Sequence, residues 1–287
     1  MIFFMMEKLK KIFSFFSERT FFHPPMDAPD LAGDSHRGLT RRHNEDSYIY
    51  IKGSRKTPSI AIVADGIGGH HNGDIASGIL IRLFLEKWRE YVRDGNKYHL
   101  RALISYLEKL FLYINDSIAR INKRFGSSHP MGTTLTAAAF FRNYLISHHA
   151  GDSRIYRVRK GSIRQLTRDH SVAVPEDLRK KLEEQYQKEA FADPADRRKS
   201  FSLPRHMITK AVGTKRKSLP EYNLFKVKKE DRYILCSDGL HLHLSPEDIC
   251  RIVMDSPNAA KAVNSLVNTA LQRGGKDNVT IICAFFN

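Results

Sequence analysis

The chain reads as an α+β domain in which antiparallel β-sheets carry helices on their outer faces. Three observations predict this. Many β-patterned runs lie close together without a regular helix after each, which disfavours a doubly wound parallel sheet. Helical periodicity comes in two separate pairs, around 75–121 and 246–272. Turn signals such as Lys160-Gly161 join neighbouring strands directly. The resulting order is strands, two helices, strands, two helices, strand. The 287 residues, 41% of them hydrophobic, suffice for one large domain or two small ones.

Residues 1–22 place Met5, Leu9, Ile12, Phe13 and Phe16 at helical spacing, with Lys8, Lys10 and Lys11 mostly between them. A basic, aromatic helix of this kind suits peripheral contact with a membrane surface, or packing on its own domain. It has no clear small-residue cleavage site of the secretory kind. Pro24, Pro25 and Pro29 then mark a linker. The expected division is therefore a segment 1–29 and a main domain 30–287.

Ser47 to Ile51 alternates as a strand, and Ile60 to Ala64 is a short apolar run that reads as a buried one. Ile75, Ile79, Leu80, Leu83, Phe84 and Trp88 give a first helix its apolar face. Leu103, Leu107, Leu110, Phe111, Ile114, Ile118 and Ile121 do so for a longer second helix. The period then shortens. Thr133 to Phe141, Tyr144 to His149, Ile155 to Val158 and Ser162 to Leu166 read as strands. Residues 172–206 are charge-rich with little strand pattern, and are expected to form a helical, mobile flap. Strands resume at Tyr222 to Val227 and Arg232 to Cys236. Helices follow at Pro246 to Met254 and Asn258 to Gln272, and Val279 to Phe286 closes the chain.

Lys and Arg number 47 against 31 Asp and Glu, a formal net charge of +16. Such a surface favours phosphorylated or acidic partners, anionic lipid or nucleic acid. No helix-turn-helix, zinc-finger or RNA-recognition signature is present, so no specific nucleic acid is expected. Cys236, Cys250 and Cys283 are odd in number, widely spaced and set in apolar surroundings, which suits buried thiols in a reducing compartment. No apolar run reaches the roughly 18 residues of a membrane-spanning helix.

Asp46, Asp65, Asp152, Asp238 and Asp277 all fall at strand ends or in turns flanked by small residues. Asp65 leads into Gly66-Ile67-Gly68-Gly69-His70, where glycines let the backbone approach a ligand closely. No His/Cys cluster stands at zinc spacing, and all-oxygen ligation suits Mg²⁺ or Mn²⁺. Two such ions about 4 Å apart can share a bridging water, lower its pKa and clamp an in-line displacement at phosphorus. Arg41 and Arg42 precede Glu45-Asp46, and a guanidinium can hold phosphate oxygens bidentately. The chemistry implied is metal-assisted phosphate-ester hydrolysis without a covalent intermediate. No Cys-x5-Arg supports a cysteine nucleophile, and no Gly-x4-Gly-Lys-[Ser/Thr] supports a P-loop.

Eight motifs in order resemble the metal-dependent protein serine/threonine phosphatases of type 2C, in their bacterial form. They are Arg41-x-x-Asn44-Glu45-Asp46; Val63-Ala64-Asp65-Gly66-x-Gly68-Gly69-His70 with Gly73-Asp74-x-Ala76-Ser77; Met131-Gly132-Thr133-Thr134-Leu135; Gly151-Asp152-Ser153-Arg154-x-Tyr156; Gln165-Leu166-Thr167-x-Asp169-His170-Ser171; Ile208-Thr209-Lys210-Ala211-Val212-Gly213; Leu235-Cys236-Ser237-Asp238-Gly239-Leu240; and Asp277-Asn278-Val279-Thr280. The resemblance spans roughly residues 30 to 287. It implies a four-layer α-β-β-α sandwich, two antiparallel sheets face to face with helices outside each.

Carried over residue by residue, it implies that Asp65 bridges two Mn²⁺ or Mg²⁺ ions and Gly66 lends a carbonyl. Asp238 and Asp277 complete one metal site. Asp46, with Glu45, serves the other, mostly through water. Arg41 holds the phosphate, and Asp152 matches the acid of a third, weaker ion. The segment between Ser171 and Thr209 matches the variable flap. Two departures stand out. Leu242 occupies a position where the family usually has Asp, and Ile67 one where some members carry a histidine proposed as general acid. Metal-bound water, His70 and His43 are then the open sources of the leaving-group proton.

The expected partners are phosphorylated proteins and a cognate Ser/Thr kinase, and the expected state is a monomer. The expected location is the cytoplasm, with attachment at the membrane surface or export as an effector left open. A second reading is a non-catalytic pseudophosphatase or binding module on the same fold. A third is a nucleic-acid or membrane-surface protein whose charge is its function.

Overall fold

The structure is a computed structural model that describes residues 26–67, 72–93, 99–126, 130–178, 180–181, 206–214 and 220–287. The amphipathic segment 1–22, its linker prolines Pro24 and Pro25, and Gly68, Gly69 and His70 lie outside the described residues. So does residue 179 and the body of the flap, 182–205.

Thirteen strands are described. One sheet has the order β1-β13-β12-β7-β8: Asp30–His36, Val279–Phe285, Arg232–Cys236, Arg154–Arg159 and Ser162–Gln165. The other has the order β11-β6-β5-β3-β2: Glu221–Lys226, Tyr144–Ala150, Leu135–Phe141, Ser59–Ile67 and Asp46–Ile51, with β4 (Gly132–Thr133) joined to the end of β3. Every strand pair is antiparallel. Helices α1 (Gly73–Arg93) and α2 (Leu100–Phe125) pack on the second sheet. The short α3 (Asp238–His241), α4 (Pro246–Asp255) and α5 (Ala259–Gln272) lie on the first. The four-layer α-β-β-α sandwich expected from the sequence is the architecture found.

The central strands explain why. In β3, Ile60, Ile62 and Ala64 face α1 and α2, while Ala61 and Val63 face the opposing sheet. In β13, Val279, Ile281, Cys283 and Phe285 face α4 and α5, while Ile282 and Ala284 turn inward. A strand covered on both faces is apolar at most positions, so it loses the alternation of a half-exposed strand. Helices α4 and α5 start where their capping residues demand. Ser245 accepts from the Asp248 N–H at 3.2 Å ahead of Pro246, and Asn258 accepts from Lys261 N–H at 2.9 Å. Asn258 is thus a cap rather than the first helical residue.

Strand β1 was not legible in sequence. Its residues, DLAGDSH, have weak β-propensity. Among the described residues it pairs only with β13, and Gly33 passes beneath Tyr48, where a Cβ would stand 3.0 Å from the ring. The flap also differs at its ends. Residues 176–178 and 180–181 are helical, but Ser171–Ala173 and His206–Ile208 pair as a two-stranded ribbon, β9 and β10, at its base.

His148 lies on β6 between Phe111 and Tyr222, at ring distances of 5.1 and 6.0 Å, with Nε2 buried and unpartnered. Burial pushes its pKa down to about 3. An unfolded histidine titrates near 6.5, so between these values the unfolded chain binds a proton that the folded one refuses. Stability is then complete above pH 6.5 and falls as pH drops towards 3, by up to about 1.4 kcal/mol per pH unit. His148→Leu should flatten this acid limb in urea titrations between pH 4.5 and 7.5. An unchanged slope would place the acid sensitivity elsewhere.

Candidate metal centre

The carboxylates meet where the tips of both sheets reach the same end of the sandwich. Strand β3 ends by delivering Asp65, and antiparallel pairing sets Asp46 of β2 directly opposite it. In the other sheet, β12 runs into Ser237-Asp238 while Asp277-Asn278 leads into its neighbour β13. The turn between β6 and β7 holds Asp152. Asp65 therefore feels the charges of Asp46, Asp238, Asp152 and Asp277 together.

The backbone at Asp65 is tightly held. Its N–H donates to Thr134 Oγ1 at 2.9 Å, and its carbonyl accepts from Thr134 N–H at 2.8 Å and Thr133 Oγ1 at 2.9 Å. Gly66 follows, and a Cβ there would collide with the Gly73 carbonyl at the start of α1. Only glycine lets the helix approach this closely. Gly66 N–H donates to the Glu45 carbonyl at 3.2 Å, and Ser77 Oγ of α1 donates to the same carbonyl at 2.7 Å. The Glu45 carboxylate in turn lies against Gly73.

Asp46 is buried, and its two oxygens differ. Oδ2 accepts from Thr280 Oγ1 at 2.6 Å and Ser237 Oγ at 2.8 Å, whereas Oδ1 is buried with no hydrogen-bond partner. Burial raises its pKa to about 6 against the pull of those hydroxyls. Burial, then repulsion from Asp277, Asp152 and Asp46, pushes Asp238 up to about 8. Asp65 is raised well above the carboxylate range, by burial first and Asp46 next.

Among the described residues, Arg41 is the cation paired with this set. Arg41 Nη2 donates to Asp277 Oδ2 at 2.7 Å and senses Glu45 and Asp238. Its loop is sewn to the β13 side by Asn278, whose Nδ2 donates to the carbonyls of Arg37 and His43, both at 2.9 Å, and whose Oδ1 accepts from Glu45 N–H at 2.8 Å. Gly38, at φ +77°, sits against the Asp277 carbonyl.

Asp152 repels both Asp65 and Asp238. His241 Nε2 is 3.2 Å from its backbone oxygen, and Gly151 N–H donates to His170 Nδ1 at 3.2 Å. Arg154, two residues on, is held bidentately by Asp169 at 2.6 to 3.1 Å. Leu242, the position lacking a carboxylate, is exposed. Residues missed as functional in sequence are the supports: Thr134, Ser237, Asn278, Thr280 and Ser77. Their only signal was their place inside the motifs.

Among the described residues no three Asp, Glu, His or Cys side chains already converge as a ligand set. The donors nevertheless fit hard divalent ions. They are all oxygen, they carry more negative charge than Arg41 can balance, and Asp46 keeps a buried acceptor without a donor. Mutual repulsion between carboxylates is what a cation between them would relieve.

Comparison with known proteins agrees with this geometry. A family model described as protein phosphatase 2C matches residues 32–277. The chain is 30% identical over 247 residues to the serine/threonine phosphatase Stp of Listeria innocua, covering 86% of this chain and 91% of that one. It is 33% identical over 253 residues to the serine/threonine protein phosphatase PstP of Mycobacterium tuberculosis, covering 88% of this chain and 44% of that longer one. A crystal structure of the catalytic domain of PstP, in complex with two manganese ions, superposes with a TM-score of 0.69 at 29% identity, over 90% of this chain and 98% of that domain. Fold, motif order and the match over most of its length lead to one conclusion: this chain belongs to the protein phosphatase 2C family and is a metal-dependent serine/threonine protein phosphatase.

Proposed function

We propose that residues 30–287 form a catalytic domain that hydrolyses phosphoserine and phosphothreonine with two Mn²⁺ or Mg²⁺ ions. The reading rests above all on Asp46, Asp65, Asp238 and Asp277 standing within one electrostatic neighbourhood at the ends of β2, β3, β12 and β13. Asp65 would serve both ions and Gly66 would lend its carbonyl, Asp238 and Asp277 would hold one ion, and Asp46 with Glu45 the other. When bound, the ions would supply an activated water in line with the phosphoester bond and neutralise the phosphoryl oxygens.

The chain's own residues do the rest. Arg41 is half-exposed at the rim, and one of its N–H groups is taken by Asp277. Its remaining donors can turn to a phosphoryl group, with the guanidinium plane fixed by that ion pair. Thr280 and Ser237 hold Asp46 Oδ2, which aims Oδ1 and keeps the carboxylate ionised at a buried position. Asn278 keeps the Arg41 loop against the Asp277 side. His43 remains a candidate donor to the leaving oxygen, together with His70 and water. Asp152 would be the acid for a third, weaker ion, which Leu242 would leave one carboxylate short.

No helix among the described residues is long and apolar enough to cross a membrane. Residues 1–22 are proposed as a surface attachment, and phosphoproteins of a cognate kinase as the substrates.

Asp238→Ala should lower hydrolysis of a phosphothreonine peptide at least ~100-fold, matching the several kcal/mol that a bound ion contributes. It should also abolish the thermal stabilisation that Mn²⁺ gives the wild type. An unaffected rate, or equal wild-type rates with and without metal, would remove the assignment. Thr280→Val should keep the fold and weaken Mn²⁺ affinity about 10- to 100-fold by titration calorimetry, the usual effect of losing an outer donor. Unaltered affinity would show that Asp46 needs no such support.

A further inference from the structure

A groove of about 920 Å³ runs between α1 and the edge strand β2. Ser35, Asn44 and Asp46 form its inner end, so it opens beside the carboxylate cluster and the Arg41 loop. Farther out, α1 lines it with Ile81, Leu85, Arg82 and Arg89. Its lining sets Arg82, Arg89 and Arg93 against Asp46, Glu86 and Glu90, and the two signs differ in how they are paired. Lys87 pairs with Glu86 and Glu90 at 3.8 and 2.9 Å. Arg82 and Arg89 are exposed and make no hydrogen bond or ion pair with any described residue. The facing wall is β2, last in its sheet, with no strand partner on its outer edge among the described residues. A free edge of this kind accepts an extended chain.

We propose that this groove binds an acidic stretch of the phosphoprotein substrate in extended form, with the phosphorylated residue at the metal centre. The proposal rests on the phosphatase reading above. Arg82 and Arg89 meet acidic side chains, and Ile81, Leu85 and Tyr48 cover the intervening apolar atoms. Spacing sets the register. Gly78 lines the inner end, and at 1.5 Å rise per residue Arg82 and Arg89 lie about 6 and 16 Å farther along α1. An extended chain advances about 3.3 Å per residue, so acids roughly two and five residues beyond the point of entry meet the two guanidinium groups. Neither arginine stands among the carboxylates or their supports, so they act on substrate choice and not on the reacting centre.

The test measures kcat/KM of the full chain on phosphothreonine peptides with an Asp pair stepped two to eight positions from the phosphoresidue, on either side. An Ala series and a Lys series are the references. The ratio between peptides is read within each variant, so a general loss of activity cancels. The wild type should prefer the acidic peptides roughly three- to tenfold at low salt, on one side only, with the advantage shrinking as salt rises. Arg89→Glu and Arg82→Glu should erase that preference, and the double variant should favour the Lys series. A wild-type ratio near one at every position, or a preference that survives both substitutions, would overturn the proposal. So would a preference that emerges only when residues 1–25 are removed, which would give the groove to that segment. p-Nitrophenyl phosphate has no flanking chain. Failure to hydrolyse both it and every peptide would strike the phosphatase reading itself.

Discussion

Repulsion among carboxylates that the fold forces together governs this molecule. Asp65 stands where its own burial and the charges of four other aspartates all oppose ionisation. A chain assembles such a cluster only if the rest of the structure holds it in place, and each support can be traced. Antiparallel register fixes Asp46 opposite Asp65. Hydroxyls of Thr280 and Ser237 stabilise one oxygen of Asp46 and leave the other bare. Glycine at 66 admits α1, whose Ser77 then grips the Glu45 carbonyl. Divalent cations held there, as proposed, would turn the same arrangement from a liability into a binding site.

The sandwich makes this possible because its central strands are covered on both faces. Three separate apolar clusters result, one between the sheets and one beneath each helical layer. The acidic turns, drawn from distant parts of the chain, gather at the strand ends, beyond these clusters. The outer surface follows a different rule. Along α1, the single Lys87 bridges Glu86 and Glu90, while Arg82 and Arg89 make no ion pair with any described residue, on the flank that leads to the carboxylates.

Much of this was legible in the sequence because it depends on local pattern. Strand-acid-glycine turns mark Asp65 and Asp238, and apolar periodicity marks α1, α2, α4 and α5. What was not legible depends on pairing between distant segments. Thr280 and Ser237 look like any hydroxyl in a strand until register brings them to Asp46. Asn278 looks like a turn residue until its side chain is seen joining Arg37, His43 and Glu45. Strand β1 forms because β13 offers an edge, against the propensity of its own residues. Arg82 and Arg89 read as the solvated face of a helix, and only the fold sets β2 across from them.

The most direct measurement is a crystal structure of the full chain grown with Mn²⁺, with data collected at the manganese absorption edge. The account requires two anomalous peaks about 4 Å apart, with Asp65 between them and Asp238 and Asp277 on one of the pair. Peaks elsewhere on the surface, or none at this end of the sandwich at saturating metal, would contradict it.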